Sequence, residues 1–126
     1  MVPKLLIVED NELNLELLLS VVEGIAVPVT ILTARDGGQG WQLFKEEKPS
    51  IILLDMHLPE IDGFTLARKV KMVAPDTIIV GLTALAMVGD KERVLDAGCD
   101  YYRSKPIKVK EFRDFLGTIL GLGGSA

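Results

Sequence analysis

Ile51-Ile52-Leu53-Leu54-Asp55-Met56-His57-Leu58-Pro59 is the stretch that decides the fold. Its first four residues are apolar without polar alternation, the pattern of a strand buried on both faces. The run then stops on a carboxylate. The same grammar recurs along the chain. Residues 5–8 are Leu-Leu-Ile-Val, followed by Glu9 and Asp10. Residues 78–82 are Ile-Ile-Val-Gly-Leu, followed by Thr83 and Ala84. Residues 29–33 give a further run. Residues 101–104 give a fifth, placed by position more than by composition, ahead of Lys105 and Pro106.

Helical spacing fills the gaps. Leu15, Leu18, Leu19, Val22 and Ile25 fall on one face, as do Phe112, Phe115, Leu116 and Ile119. Trp41 with Phe44, and Leu66, Ala67, Val70 and Val73, give two shorter faces. Val94, Leu95 and Ala97 precede Gly98, a helix stop. Strand then helix, five times over, predicts an α/β fold: a parallel sheet with right-handed crossovers and helices on both faces.

The 126 residues suit one domain, with 48% apolar and 25% charged residues. Mean hydropathy is +0.32 although aromatics are only 6%, because buried parallel strands need Leu, Ile and Val instead. A single cysteine, Cys99, forms no intrachain disulfide, which makes a reducing, cytoplasmic setting the expectation. One histidine and one cysteine cannot supply a four-ligand structural zinc site. No apolar run approaches the ~20 residues of a membrane span, so no membrane partner is expected. Residues 1–88 carry 12 acids against 7 bases, and 89–126 carry 6 against 7, leaving no basic face for DNA. Residues 1–120 read as the domain and the Gly-rich 121–126 as a flexible tail. That tail has the form G-x-G-x-x-A, but it neither follows a strand nor opens a helix, so it is no dinucleotide site.

In an open parallel sheet, sites form beyond the carboxyl ends of the strands. There the pattern places Glu9, Asp10, Asp55, Thr83 and Lys105. Crowded carboxylates repel, and a hard divalent cation that prefers oxygen ligands offsets this. Phosphoryl transfer needs little beyond positioning and charge neutralisation, and a carboxylate can be its nucleophile.

These residues carry a resemblance. Val8-Glu9-Asp10-Asn11, Leu53-Leu54-Asp55-Met56 with Leu58-Pro59 and Asp62-Gly63, Leu82-Thr83-Ala84, and Ser104-Lys105-Pro106 occur in order at successive strand ends. Together they resemble the receiver domains of bacterial two-component response regulators, over nearly the whole chain. The resemblance implies a flavodoxin-like doubly wound (βα)5 fold with strand order 2-1-3-4-5. It implies that Asp55 is the phosphoacceptor, taking its phosphoryl group from a sensor histidine kinase or a histidine phosphotransfer protein. Asp10, Asp55 and the backbone carbonyl of His57 would ligate Mg²⁺, with Glu9 joining through water and Mn²⁺ able to substitute. Lys105, Thr83 and the Ala84 backbone N–H would hold the phosphoryl oxygens. Thr83 and Tyr102 would form the switch, and Lys105-Pro106 would be a cis peptide. Output would pass through the face of the fourth helix, fifth strand and fifth helix to a downstream protein. Such a chain is no enzyme beyond Mg²⁺-dependent self-phosphorylation and autodephosphorylation.

Other readings compete. Glu9 and Asp10 could merely begin a helix, and Lys105 could be a solvated loop lysine. Trp41 reads as helix packing and Cys99 as a small buried hydrophobe. His57 is either a tolerated surface residue or, with Leu85, a control on water access. A flavin or nucleotide binder would offer hydroxyls and N–H groups after the first strand, where this chain has acids. A dehalogenase-type phosphatase would want a second acid where His57 stands. The main alternative is a constitutive receiver-fold scaffold without phosphate turnover, and the full set of site residues argues against it.

Overall fold

The computed structural model describes residues 2–84 and 89–124. Five strands and five helices alternate: β1 (Lys4–Val8), α1 (Glu12–Glu23), β2 (Thr30–Ala34), α2 (Gly37–Glu47), β3 (Ile51–Asp55), α3 (Gly63–Val73), β4 (Ile78–Thr83), α4 (Asp90–Asp96), β5 (Tyr101–Ser104) and α5 (Val109–Gly124). The strands form one parallel sheet in the order β2-β1-β3-β4-β5. This is the flavodoxin-like arrangement.

Alternate strand residues feed two apolar layers. Leu5, Ile7, Ile51, Leu53, Val80 and Leu82 pack against α1 and α5 through Leu15, Leu18, Val22, Phe112, Leu116 and Ile119. Leu6, Val8, Ile52, Leu54 and Ile79 pack on the other face against Phe44, Leu66, Ala67, Val70 and Val94 of α2, α3 and α4. The central strands β1, β3 and β4 are buried almost throughout. The edge strands β2 and β5 are not, because each has a neighbour on one side only.

Two sequence expectations shift. Val73 is the last residue of α3 and is 64% exposed, while Val70 one turn earlier is buried. Leu95 lies on the outer side of the short α4 while Val94 is buried. The backbone of α5 runs to Gly124, and residues 125–126 lie outside the described residues.

Local chemistry sets the helix starts. Asn11, Asp36 and Asp62 each occupy an N-cap, with side chains accepting from the N–H groups of Asn14, Gln39 and Thr65. Gly98 follows α4 with φ of 110°, a left-handed conformation that glycine adopts without a Cβ penalty. Trp41 stacks on Phe44 at 5.6 Å, with the Lys69 ammonium 4.5 Å from its ring.

Candidate functional site

β1 and β3 are neighbours in the sheet, and α1 and α3 leave them for opposite faces, which opens a crevice at their carboxyl ends. Val8 pairs with Leu54, so Glu9 and Asp55 occupy the next rung together. Asp55 pairs with Leu82, and Thr83 pairs with Ser104, so Thr83 and Lys105 come alongside. The Lys105 N–H donates to the Thr83 carbonyl at 2.8 Å and fixes that edge. Gly63 lets α3 start against the end of β3, because a Cβ there would lie 2.5 Å from both the Asp55 carbonyl oxygen and Met56 Cα.

Carboxylate oxygens of Glu9, Asp10 and Asp55 lie within 4.8 Å of one another. Glu9 is fully buried and Asp55 is 4% exposed, while Asp10 faces solvent. Lys105 Nζ lies 2.8 Å from Glu9 Oε1 and 3.4 Å from Asp55 Oδ2. The His57 N–H donates to Asp55 Oδ1 at 3.0 Å, and the Asn11 N–H donates to Glu9 Oε2 at 3.2 Å. Burial pushes the Glu9 carboxyl up to about 7 from its ordinary 4.5, and Lys105 opposes that rise without cancelling it. The Asp55 charge beside it pushes the same way. Three carboxyl groups and one ammonium therefore leave a local excess of negative charge.

The donor set is hard oxygen, with no thiolate, and suits Mg²⁺ or Mn²⁺ better than a softer metal. The ligand atoms are close enough to share one ion. The residues present thus fit the cation the sequence implies.

Thr83 is fully buried at the end of β4. Its Oγ1 is 3.0 Å from His57 Nε2 and donates to Asp90 Oδ2 at 3.3 Å. The ring of His57, an exposed residue, therefore reaches the buried hydroxyl. Tyr102 is half-buried against the α2–α4 layer. Tyr101, on the opposite face, meets Phe115 edge-on at 5.2 Å. Ala84 is exposed beside Thr83. Leu85 lies outside the described residues. Lys105-Pro106 is cis.

Asp90 escapes a reading of the sequence. An acid at a helix start looks like an ordinary first-turn residue. Its only hint is its place seven residues after Thr83, a spacing that the chain pattern does not interpret.

A family model for the response regulator receiver domain matches residues 5–116, and the chain belongs to that family. A polar-differentiation response regulator, DivK, from Brucella anthropi is 37% identical over 120 residues, covering 92% of this chain and 94% of that protein. The receiver domain of a sensor histidine kinase from Pseudomonas aeruginosa, solved with a magnesium ion coordinated in its active-site cleft, is 28% identical with a TM-score of 0.83, covering 96% and 99% of the two chains. The receiver domain of the Saccharomyces cerevisiae response regulator Ssk1, solved with the histidine phosphotransfer protein Ypd1, is 27% identical with a TM-score of 0.79, covering 88% and 83%. This chain is accordingly a receiver domain of two-component signalling. No described helix is long and apolar enough to cross a membrane.

Proposed function

We propose that this receiver is a phosphorylation switch whose acceptor is Asp55. The observation that supports this most directly is Lys105 Nζ lying against both Glu9 and Asp55, in a crevice where three carboxylates converge. An Asp55 oxygen attacks the phosphorus of a phosphohistidine on a sensor kinase or phosphotransfer protein. The new O–P bond forms as the P–N bond breaks, and the imidazole leaves with the electron pair. Glu9, Asp10, Asp55 and the His57 carbonyl are the residues to hold Mg²⁺, which supplies neutralisation of the phosphoryl charge when bound. Lys105, already a partner of Asp55, takes a phosphoryl oxygen. Thr83 and the Ala84 N–H take others, and Tyr102 follows Thr83 in the switch. The altered surface is α4-β5-α5, offered to a downstream protein. The setting proposed is the cytoplasm, and the chain's own chemistry is limited to acquiring and losing its phosphoryl group.

The test is incubation with acetyl phosphate with and without Mg²⁺, read by intact mass. The expected result is one Mg²⁺-dependent phosphoryl adduct, absent in Asp55→Asn. An adduct that survives in Asp55→Asn refutes the assignment. No adduct in the wild-type chain leaves the constitutive scaffold as the better reading.

A further inference from the structure

The Thr83 hydroxyl is engaged from two sides before any phosphoryl group arrives. Thr83 Oγ1 donates to Asp90 Oδ2 at 3.3 Å, and His57 Nε2 stands 3.0 Å away. A hydroxyl has one proton and two lone pairs. With that proton directed at Asp90, His57 takes the remaining role and donates Nε2–H to the oxygen. The polarity of the chain is therefore His57 to Thr83 to Asp90.

Asp90 is 3% exposed although it begins a surface helix. Its other oxygen faces Arg93 Nη1 at 3.8 Å, a long contact to a side chain that is 66% exposed and contributes little. The better-placed partner of this buried carboxylate is the threonine. His57 is held in turn: its N–H bonds Asp55, and its ring meets Phe64 edge-on at 6.1 Å. The Arg93 guanidinium lies over the same Phe64 ring, 4.8 Å from its centroid. The start of α4 is thus tied to the acceptor's own loop through two routes, one polar and one aromatic.

We infer that Asp90 is a positioning residue that, with His57, clasps the Thr83 hydroxyl away from the acceptor and so opposes phosphoryl binding at Asp55. This rests on the reading of Asp55 as acceptor given above. A phosphoryl oxygen is itself an acceptor and needs the same single proton that Asp90 holds. The two bonds exclude each other, and occupancy at Asp55 must release Asp90. Release frees the first residue of α4, on the output face, so the competition that weakens phosphoryl binding also carries the signal outward. The energy available to the switch is the difference between the two hydrogen bonds, not the full strength of either.

The test measures affinity for beryllofluoride, a phosphoryl mimic, in the presence of Mg²⁺. Asp90→Ala is expected to bind it about tenfold more tightly, the order of magnitude for losing a competing bond to a charged acceptor. Asp90→Asn keeps the shape and an uncharged acceptor, and neutral bonds are about half as strong, so a rise of about threefold is expected. This variant carries the test where Asp90→Ala does not fold. In a Thr83→Ala background the Asp90 substitutions are expected to change nothing, which separates a hold on the hydroxyl from simple charge repulsion. Unchanged affinity in both Asp90 variants overturns the inference, as does an equal rise without the threonine hydroxyl. A wild-type chain that binds no beryllofluoride overturns the acceptor reading itself, and this inference falls with it.

Discussion

At Glu9, burial and its neighbours act in opposite directions, and burial wins. Its carboxyl titrates near 7 in the fold against an ordinary 4.5, with Lys105 too weak a counterweight. Below the ordinary value, both folded and unfolded chains hold the proton and the group favours neither. Between that value and about 7 the folded chain keeps a proton that the unfolded chain has lost. Relative stability from this group is therefore greatest on the acid side and falls as pH rises through about 7. Without divalent cations, the melting temperature of Glu9→Gln should gain on wild type between about pH 5 and about pH 8. A constant difference across that range would show that Glu9 does not carry the titration. Cys99 obeys the same physics without a functional outcome: burial lifts its thiol to about 12, and it packs against Met56 as an apolar group.

Between elements, the decisive contact is the abutment of α3 on β3. Gly63 permits it, and its N–H donates to the Met56 carbonyl at 3.2 Å, directly after Asp55. Gly63→Ala forces backbone apart and should cost about 2–3 kcal/mol in denaturant unfolding, at the upper end of overpacking effects. Because the displaced atoms include the Asp55 carbonyl, phosphoryl uptake should fall as well. A fully active variant of wild-type stability would mean that α3 slides without disturbing Asp55. The caps are separate devices: Asp62 fixes where α3 begins, while Gly63 fixes how closely it approaches.

Across the whole molecule, the sheet brings three carboxylates together at the carboxyl ends of β1 and β3. Glu9, Asp10 and Asp55 raise the energy of the folded chain, and a divalent cation should lower it. Mg²⁺ at about a hundred times its dissociation constant should add about 2.7 kcal/mol to unfolding stability by linkage. Asp10→Asn is exposed and supports no packing, so it should leave the fold intact while weakening that gain. Equal Mg²⁺ stabilisation in both chains would place the ion elsewhere.

The sequence by itself determined the sheet and which polar residues stand at its carboxyl ends. Leu5 to Val8, Ile51 to Leu54 and Ile78 to Leu82 are buried runs that end in Glu9, Asp55 and Thr83, and a strand's period depends only on residues close in the chain. Burial along the outer strands and at Val73 and Leu95 did not follow, because it depends on which neighbour is missing. The tertiary structure alone decided distances between groups far apart in sequence. Lys105 reaches Glu9 across 96 positions, and His57 reaches Thr83 across 26. Asp90 is the clearest case: its type and place look like a helix start, and only the packing of α4 against the end of β4 turns its carboxylate onto the Thr83 hydroxyl. Local pattern sets which groups a strand delivers, and the register between strands sets which of them meet.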